Sequence, residues 1–194
     1  MRLAAIKRVY KLKTINLPIK EEVMGTLNSG DRVLINGIVY TARDAAHKRL
    51  VSLLEEGKKL PVDLKGQIIY YTGPSPVKPG RITGSAGPTT SIRMDPYTVP
   101  LLKYGVKGFI GKGKRSKEIR EALKEYKALY FAAVGGAGAL LAQKIVSVEL
   151  MAYADLGPEA IYRLEVKDFP VVVINDLKGS DLYESGQQEY FRGD

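Results

Sequence analysis

Apolar residues recur along the chain in short runs broken by glycine and proline, with two stretches at helical spacing. In residues 32–41, β-prone positions flank Asn36-Gly37, a pair that tolerates positive φ, and the pattern predicts a hairpin or a sharply turned strand. Residues 45–56 set Ala46, Leu50, Leu53 and Leu54 on one face of a helix that Gly57 can cap in the left-handed conformation. A buried strand follows at 67–71. From 73 to 95 the pattern disappears into Gly, Pro, Ser and Thr, a length of aperiodic chain that is usually functional or disordered.

A short strand at 108–110 leads to the turn Gly111-Lys-Gly113. Ser116 is a suitable N-cap for a helix that buries Ile119, Ala122, Leu123 and Tyr126. A strand over 128–134 runs into Gly135-Gly-Ala-Gly138, which opens a short helix to about residue 144. Strands at 147–152, 160–166 and 171–174 complete the series. Strands outnumber and interleave with helices, which predicts a mixed α/β sheet with its helices on one side. Residues 1–25 read as a basic extended arm, cationic at Lys7, Arg8, Lys11 and Lys13, and residues 26–194 as one domain.

Composition removes several chemistries. The chain has no cysteine, so it lacks disulfides, thiolate nucleophiles and the usual ligands of an iron–sulfur cluster. Its one histidine, His47, excludes a multi-histidine metal site, so a transition metal would have to come from another chain. No apolar run approaches the roughly 18–20 residues of a membrane span, and the first ten residues are too charged for a secretory signal, which predicts a cytoplasmic protein. A formal charge of +9 invites an acidic partner, whether nucleic acid, an acidic subunit or an anionic substrate, while most of these charges taken singly read as a solvated lysine-rich surface.

Four polar segments carry the candidate chemistry. They are Thr41-Ala-Arg-Asp-Ala-Ala-His47, Gly87-Pro-Thr-Thr-Ser-Ile-Arg-Met-Asp95, Gly111-Lys-Gly113 and Gly135-Gly-Ala-Gly138. Taken singly, each has an ordinary reading. Arg43 could pair with an acid, His47 could be a structural hydrogen bonder, the threonines could be turn residues and Lys112 a solvated lysine. Neither a phosphate loop nor a dinucleotide fingerprint is present, which excludes the common nucleotide sites. Together the segments suit a dianion, because a dicarboxylate needs two or three cationic donors, and Arg43, Arg93 and Lys112 could supply them.

Three of these segments, with Ala154-Asp-Leu-Gly-Pro-Glu-Ala-Ile161 and Val166-Lys-Asp-Phe-Pro170, resemble the β subunit of class I, iron–sulfur-dependent fumarases and tartrate dehydratases over residues 10–190. The resemblance implies a three-layer β/β/α "swivelling" domain. It also implies an α subunit whose cysteines hold a [4Fe–4S] cluster, in an α2β2 complex. By the same resemblance Arg43, Arg93 and Lys112 bind carboxylate oxygens and Thr89 matches the catalytic base, a role that requires nearby cations to favour its alkoxide. The sequence does not separate Thr89 from Thr90 as the base, and Thr89 is preferred, with Thr90 as a substrate contact. Fumarate hydration to (S)-malate is the first expectation, with L-tartrate dehydration and mesaconate hydration as alternatives. A basic RNA-binding protein, with Lys114-Arg115 as its compact cationic cluster, is the alternative of a different class. Pro96 and Pro100 fall where the family builds a helix: Pro96 suits a first helical turn after Asp95, but Pro100 removes a backbone donor further in, which predicts a late or distorted helix and an altered setting for Arg93.

Overall fold

The structure is a computed structural model that describes residues 12–77 and 79–190. Seven strands form its sheet: β1 (Leu12–Asn16), β2 (Arg32–Thr41), β3 (Ile68–Tyr70), β4 (Gly108–Gly111), β5 (Leu129–Ala132), β6 (Ile145–Ala152) and β7 (Ile161–Asn175). Strands β1 to β5 run parallel in sequence order. Strand β7 pairs antiparallel with β6, β5 and β2, so the sheet closes on itself. Six helices accompany it among the described residues: α1 (Glu21–Gly25), α2 (Asp44–Glu55), α3 (Asp95–Tyr104), α4 (Lys117–Glu125), α5 (Gly138–Ala142) and α6 (Leu182–Tyr190).

The period-two alternation of the central parallel strands decides the layering. Ile68, Tyr70, Ile110, Leu129 and Phe131 point inward, against Val33, Ile35, Leu164, Phe169 and Val171 of the second β layer. Their alternates Ile69, Tyr71, Phe109 and Tyr130 point outward and meet Ala46, Leu50, Leu101, Ile119 and Leu123 from α2, α3 and α4. Two apolar cores thus separate three layers, β on β on α, as the sequence led us to expect. Parallel neighbours need crossovers, and α2, α3 and α4 are the three that link β2 to β5 in turn.

Several local expectations are corrected. Of the two readings of Asn36-Gly37, the hairpin fails and the turned strand holds. Residues 32–41 are one strand, and Gly37 (φ 114°) is the bend at which β2 leaves β1 and takes up β3. The two late strands are likewise one 15-residue strand. Between Val166 and Phe169, β7 uses three steps where β2 uses two, so Lys167 and Asp168 form a bulge. The bulge switches the inward residues from even to odd numbers, which is why the sequence reads as two strands. Asp168 adopts φ 51°, and its N–H donates to Asn36 Oδ1 at 2.8 Å. Pro170 falls where β6 has ended and β5 has not begun, so its missing N–H leaves no ladder bond unmade on that edge.

The arm boundary at residue 25 also moves. Residues 12–16 are a sheet strand, Ile15 and Met24 are buried in the core, and Lys13 donates to Asp31 Oδ2 at 2.6 Å. Lys7, Arg8 and Lys11 lie outside the described residues. Pro96 sits in the first turn as expected, and the late or distorted helix expected from Pro100 is corrected. Helix α3 starts directly at Asp95 with Pro96 in its first turn, where no N–H is needed, and it tolerates Pro100 in its interior. Arg93 sits before it, in a 3-10 turn (Ser91–Met94), upstream of the bond that Pro100 removes.

Candidate active site

All four candidate segments leave the sheet at one edge, the carboxyl ends of the parallel strands, where open α/β sheets characteristically bind ligands. Arg43 follows β2, the loop bearing Thr89 and Thr90 follows β3, Lys112 follows β4, and the glycines at 135–138 follow β5.

Lys112 and the threonines are laced together by main chain. Thr89 N–H donates to Tyr71 O at 2.6 Å, Lys112 N–H to Thr89 O at 3.2 Å, and Ser91 N–H to Lys112 O at 2.9 Å. Thr90 and Lys112 form an isolated parallel bridge. The returning loop therefore acts as a one-residue extension of the sheet beside β4. Gly111 makes the approach possible, because a Cβ there would overlap Ser91 Oγ and lie 2.8 Å from the Tyr71 ring. The Ser91 hydroxyl meets Tyr130 OH at 2.8 Å, and that phenol also donates to Gly113 O at 2.8 Å, closing the turn around Lys112 from below. Thr90 and Lys112 are exposed at this edge and Thr89 is half-buried.

The two arginines are held by carboxylates. Arg93 donates to Asp44 through Nε at 3.1 Å and Nη2 at 2.6 Å. Asp44 is the residue after Arg43, so this pair brings the second and first segments together. Arg43 itself lies over Gly73, where a Cβ would come within 3.0 Å of Nη1 and 2.7 Å of Pro158 O. Its Nη2 is 3.5 Å from Glu159 Oε1, and its Nε is buried without a hydrogen-bond partner. Glu159 also accepts from Ala45 N–H at 3.0 Å, satisfying one of the free donors at the start of α2. The segment 154–159 is thus a clamp on Arg43, anchored further by the Arg49–Asp155 pair at 2.9 and 2.5 Å.

His47 is structural in its geometry. It is fully buried, and both its N–H and Nδ1 point at the Arg43 carbonyl, at 2.9 and 2.8 Å. A carbonyl only accepts, so Nδ1 carries the proton and Nε2 is bare and unpartnered. Burial, reinforced by the nearby Arg115 charge, pushes the His47 pKa down to about 4, against the smaller opposing effects of the Arg43 carbonyl and Asp44. The imidazole is therefore neutral near pH 7 and fixes the turn that presents Arg43.

Three organising residues escaped the sequence reading: Asp44, Glu159 and Arg115. The first two sit inside recognised segments, but nothing in the sequence says whom they touch. Arg115 was read as half of a basic surface cluster. Instead it is 4% exposed, bonded to Asp95, Tyr71 OH and Thr98 Oγ1, and lies 5.3–5.7 Å from the ring centres of Tyr71, Phe109 and Tyr130. Lys114 is exposed and donates to Gln187. The cluster that would have supported RNA binding is dispersed. The glycines at 135–138 serve packing at least in part, since a Cβ on Gly138 would overlap Ser85 and press on Gly87.

Among the described residues no group of three or more His, Asp or Glu could hold a metal ion, and the sequence has no cysteine. This chain's residues do not fit an iron–sulfur cluster. No helix among the described residues is long and apolar enough to cross a membrane.

The fold and this edge define a β/β/α domain that gathers guanidinium, ammonium and hydroxyl groups at the ends of its parallel strands. The chain belongs to the fumarase C-terminus family, whose model matches residues 4–186. It is 42% identical over 187 residues to a putative class I fumarate hydratase of Geobacillus stearothermophilus, covering 94% of this chain and 35% of that protein. It is 38% identical over 178 residues to the aerobic class I fumarate hydratase of Escherichia coli K12, covering 89% and 32%. The chain spans about a third of the length of these relatives. Another relative matches it end to end: the putative L(+)-tartrate dehydratase subunit beta of Methanocaldococcus jannaschii, 38% identical over 184 residues, with 92% of this chain and 94% of that one covered.

Proposed function

We propose that this chain is the β subunit of a two-subunit hydro-lyase that interconverts fumarate and (S)-malate. The observation that carries this reading is the main-chain lacing of Thr89 and Thr90 to Lys112 at the edge where Arg43 and Arg93 are also held. The match to nearly all of a putative tartrate dehydratase subunit beta supports the β-subunit reading. The missing cysteines support a partner chain that carries the [4Fe–4S] cluster; an α2β2 complex in the cytoplasm is part of the same proposal.

The chemistry left to this chain is capture and proton removal. Arg43, Arg93 and Lys112 bind carboxylate oxygens of the substrate, with Thr90 beside Lys112 as a further polar contact. Removing a proton from the carbon next to a carboxylate builds negative charge on that carboxylate, and fixed cations stabilise it most in the transition state. Thr89 takes that proton. Its hydroxyl is an effective base only as the alkoxide, which the adjacent cations favour. The same edge serves L-tartrate dehydration, and the end-to-end match to a putative tartrate dehydratase subunit favours that substrate as the second reading.

Co-expression with an α-type subunit under anaerobic conditions tests the proposal. The complex should deplete fumarate and form malate, while this chain purified alone should be iron-free and inactive. Hydration by this chain alone without iron would sink the reading. A complex that dehydrates tartrate but leaves fumarate untouched would select the second substrate.

A further inference from the structure

The geometry points to Asp44 as a positioning residue that presets Arg93 for a substrate carboxylate, an inference that rests on the hydro-lyase reading. A guanidinium presents its five N–H groups along two usable edges: a side edge of Nε and one Nη, and an end edge of both Nη atoms. Asp44 occupies the side edge of Arg93 through Nε at 3.1 Å and Nη2 at 2.6 Å. The end edge is left for a second carboxylate. Asp44 is also joined by one peptide bond to Arg43, whose own side chain is held between Gly73 and Glu159. One residue therefore fixes the relation between two guanidinium groups that come from segments fifty residues apart.

Two effects of the Asp44 charge oppose each other. By Coulomb's law a carboxylate beside two arginines repels an incoming anion. By preorganisation it freezes a long side chain that would otherwise lose its rotamer freedom only when the ligand binds. Side-chain exposures of 49% for Arg93 and 32% for Asp44 leave the repulsion screened by solvent, whereas the end-edge contact to a ligand is direct. Positioning should outweigh repulsion, and the two effects predict opposite signs.

The test is calorimetric titration of the assembled αβ complex with succinate, which has both carboxylates but cannot be hydrated. Asp44→Ala should weaken succinate binding roughly tenfold or more, the scale of a lost charge-assisted contact. Asp44→Glu, which keeps the acceptor pair, should restore binding to within about threefold of the native complex. Should Asp44→Ala fail to fold, Asp44→Asn keeps one acceptor and the shape, and an intermediate loss is expected. Unchanged or tighter binding in the folded Ala or Asn variant overturns the inference, because Asp44 would then be a bystander or a competitor for Arg93. A native complex that does not bind succinate overturns it together with the hydro-lyase reading. A complex that binds succinate but hydrates nothing removes that reading alone.

Discussion

Arg115 donates from Nε to Asp95 Oδ1 at 2.6 Å with its side chain wholly out of solvent, and Asp95 Oδ2 accepts from Ser116 N–H at 2.9 Å. The last residue of the recognised motif at 87–95 is thus a structural joint between α3 and α4, not a ligand group. Replacing Arg115 by Met leaves Asp95 nearly buried and half-satisfied, which should destabilise the fold by about 3–5 kcal/mol. Replacing both Arg115 and Asp95 by apolar residues should recover part of that loss, though not the capping of Ser116. Urea unfolding of the native protein and the two variants measures both effects. A loss below about 1 kcal/mol for Arg115→Met would contradict a buried pair.

Gly111→Ala places a methyl group against Ser91 Oγ and the Tyr71 ring. The overpacking should cost about 1–3 kcal/mol of stability. Function should suffer more, because displacing Ser91 parts the 89–91 segment from Lys112. Adding Ser91→Gly should restore stability in part, since the Tyr71 contact remains. Thermal unfolding beside the hydration rate of the assembled complex checks the order of the two effects.

Stability should fall below neutral pH through His47. Its folded pKa of about 4 lies below its ordinary value of 6.5, so between these values the unfolded chain binds the extra proton. The stability from keeping His47 neutral is therefore present in full above pH 6.5 and is lost as pH falls toward 4. From pH 7 to pH 5 this residue should account for about 2 kcal/mol. His47→Gln should flatten that part of the profile. An identical slope in native and variant protein, followed by urea unfolding across this range, would show that other groups carry it.

Thr89→Ala should lower turnover by about 10²–10⁴-fold, the usual contribution of a positioned base, with succinate binding and subunit assembly preserved. Thr90→Ala should have the smaller effect, chiefly on substrate capture. Single-turnover rates beside succinate affinity separate the two roles. Full activity in Thr89→Ala would move the base to another group.

Much of the architecture was legible because alternation and helical spacing are local. The faces of α2 and α4, the cap at Gly57 and the N-cap at Ser116, whose side chain accepts from Ile119 N–H, all follow from neighbouring residues. The two strand readings at residues 32–41 and 160–174 share one physical cause. At Asn36-Gly37 and at Asp168 the chain does locally what a turn does, and only the partner strand decides whether it reverses or bends onward.

The sequence by itself determined that this chain supplies no cysteine ligand, that its candidate cations lie in separate segments, and which family those segments resemble. Composition and residue order suffice for such statements. Only the tertiary structure decided that the segments share one sheet edge, that Asp44 and Glu159 hold the arginines, and that Arg115 is buried. Those facts depend on contacts between residues up to more than a hundred positions apart, and no pattern along the chain encodes which carboxylate a given arginine will meet.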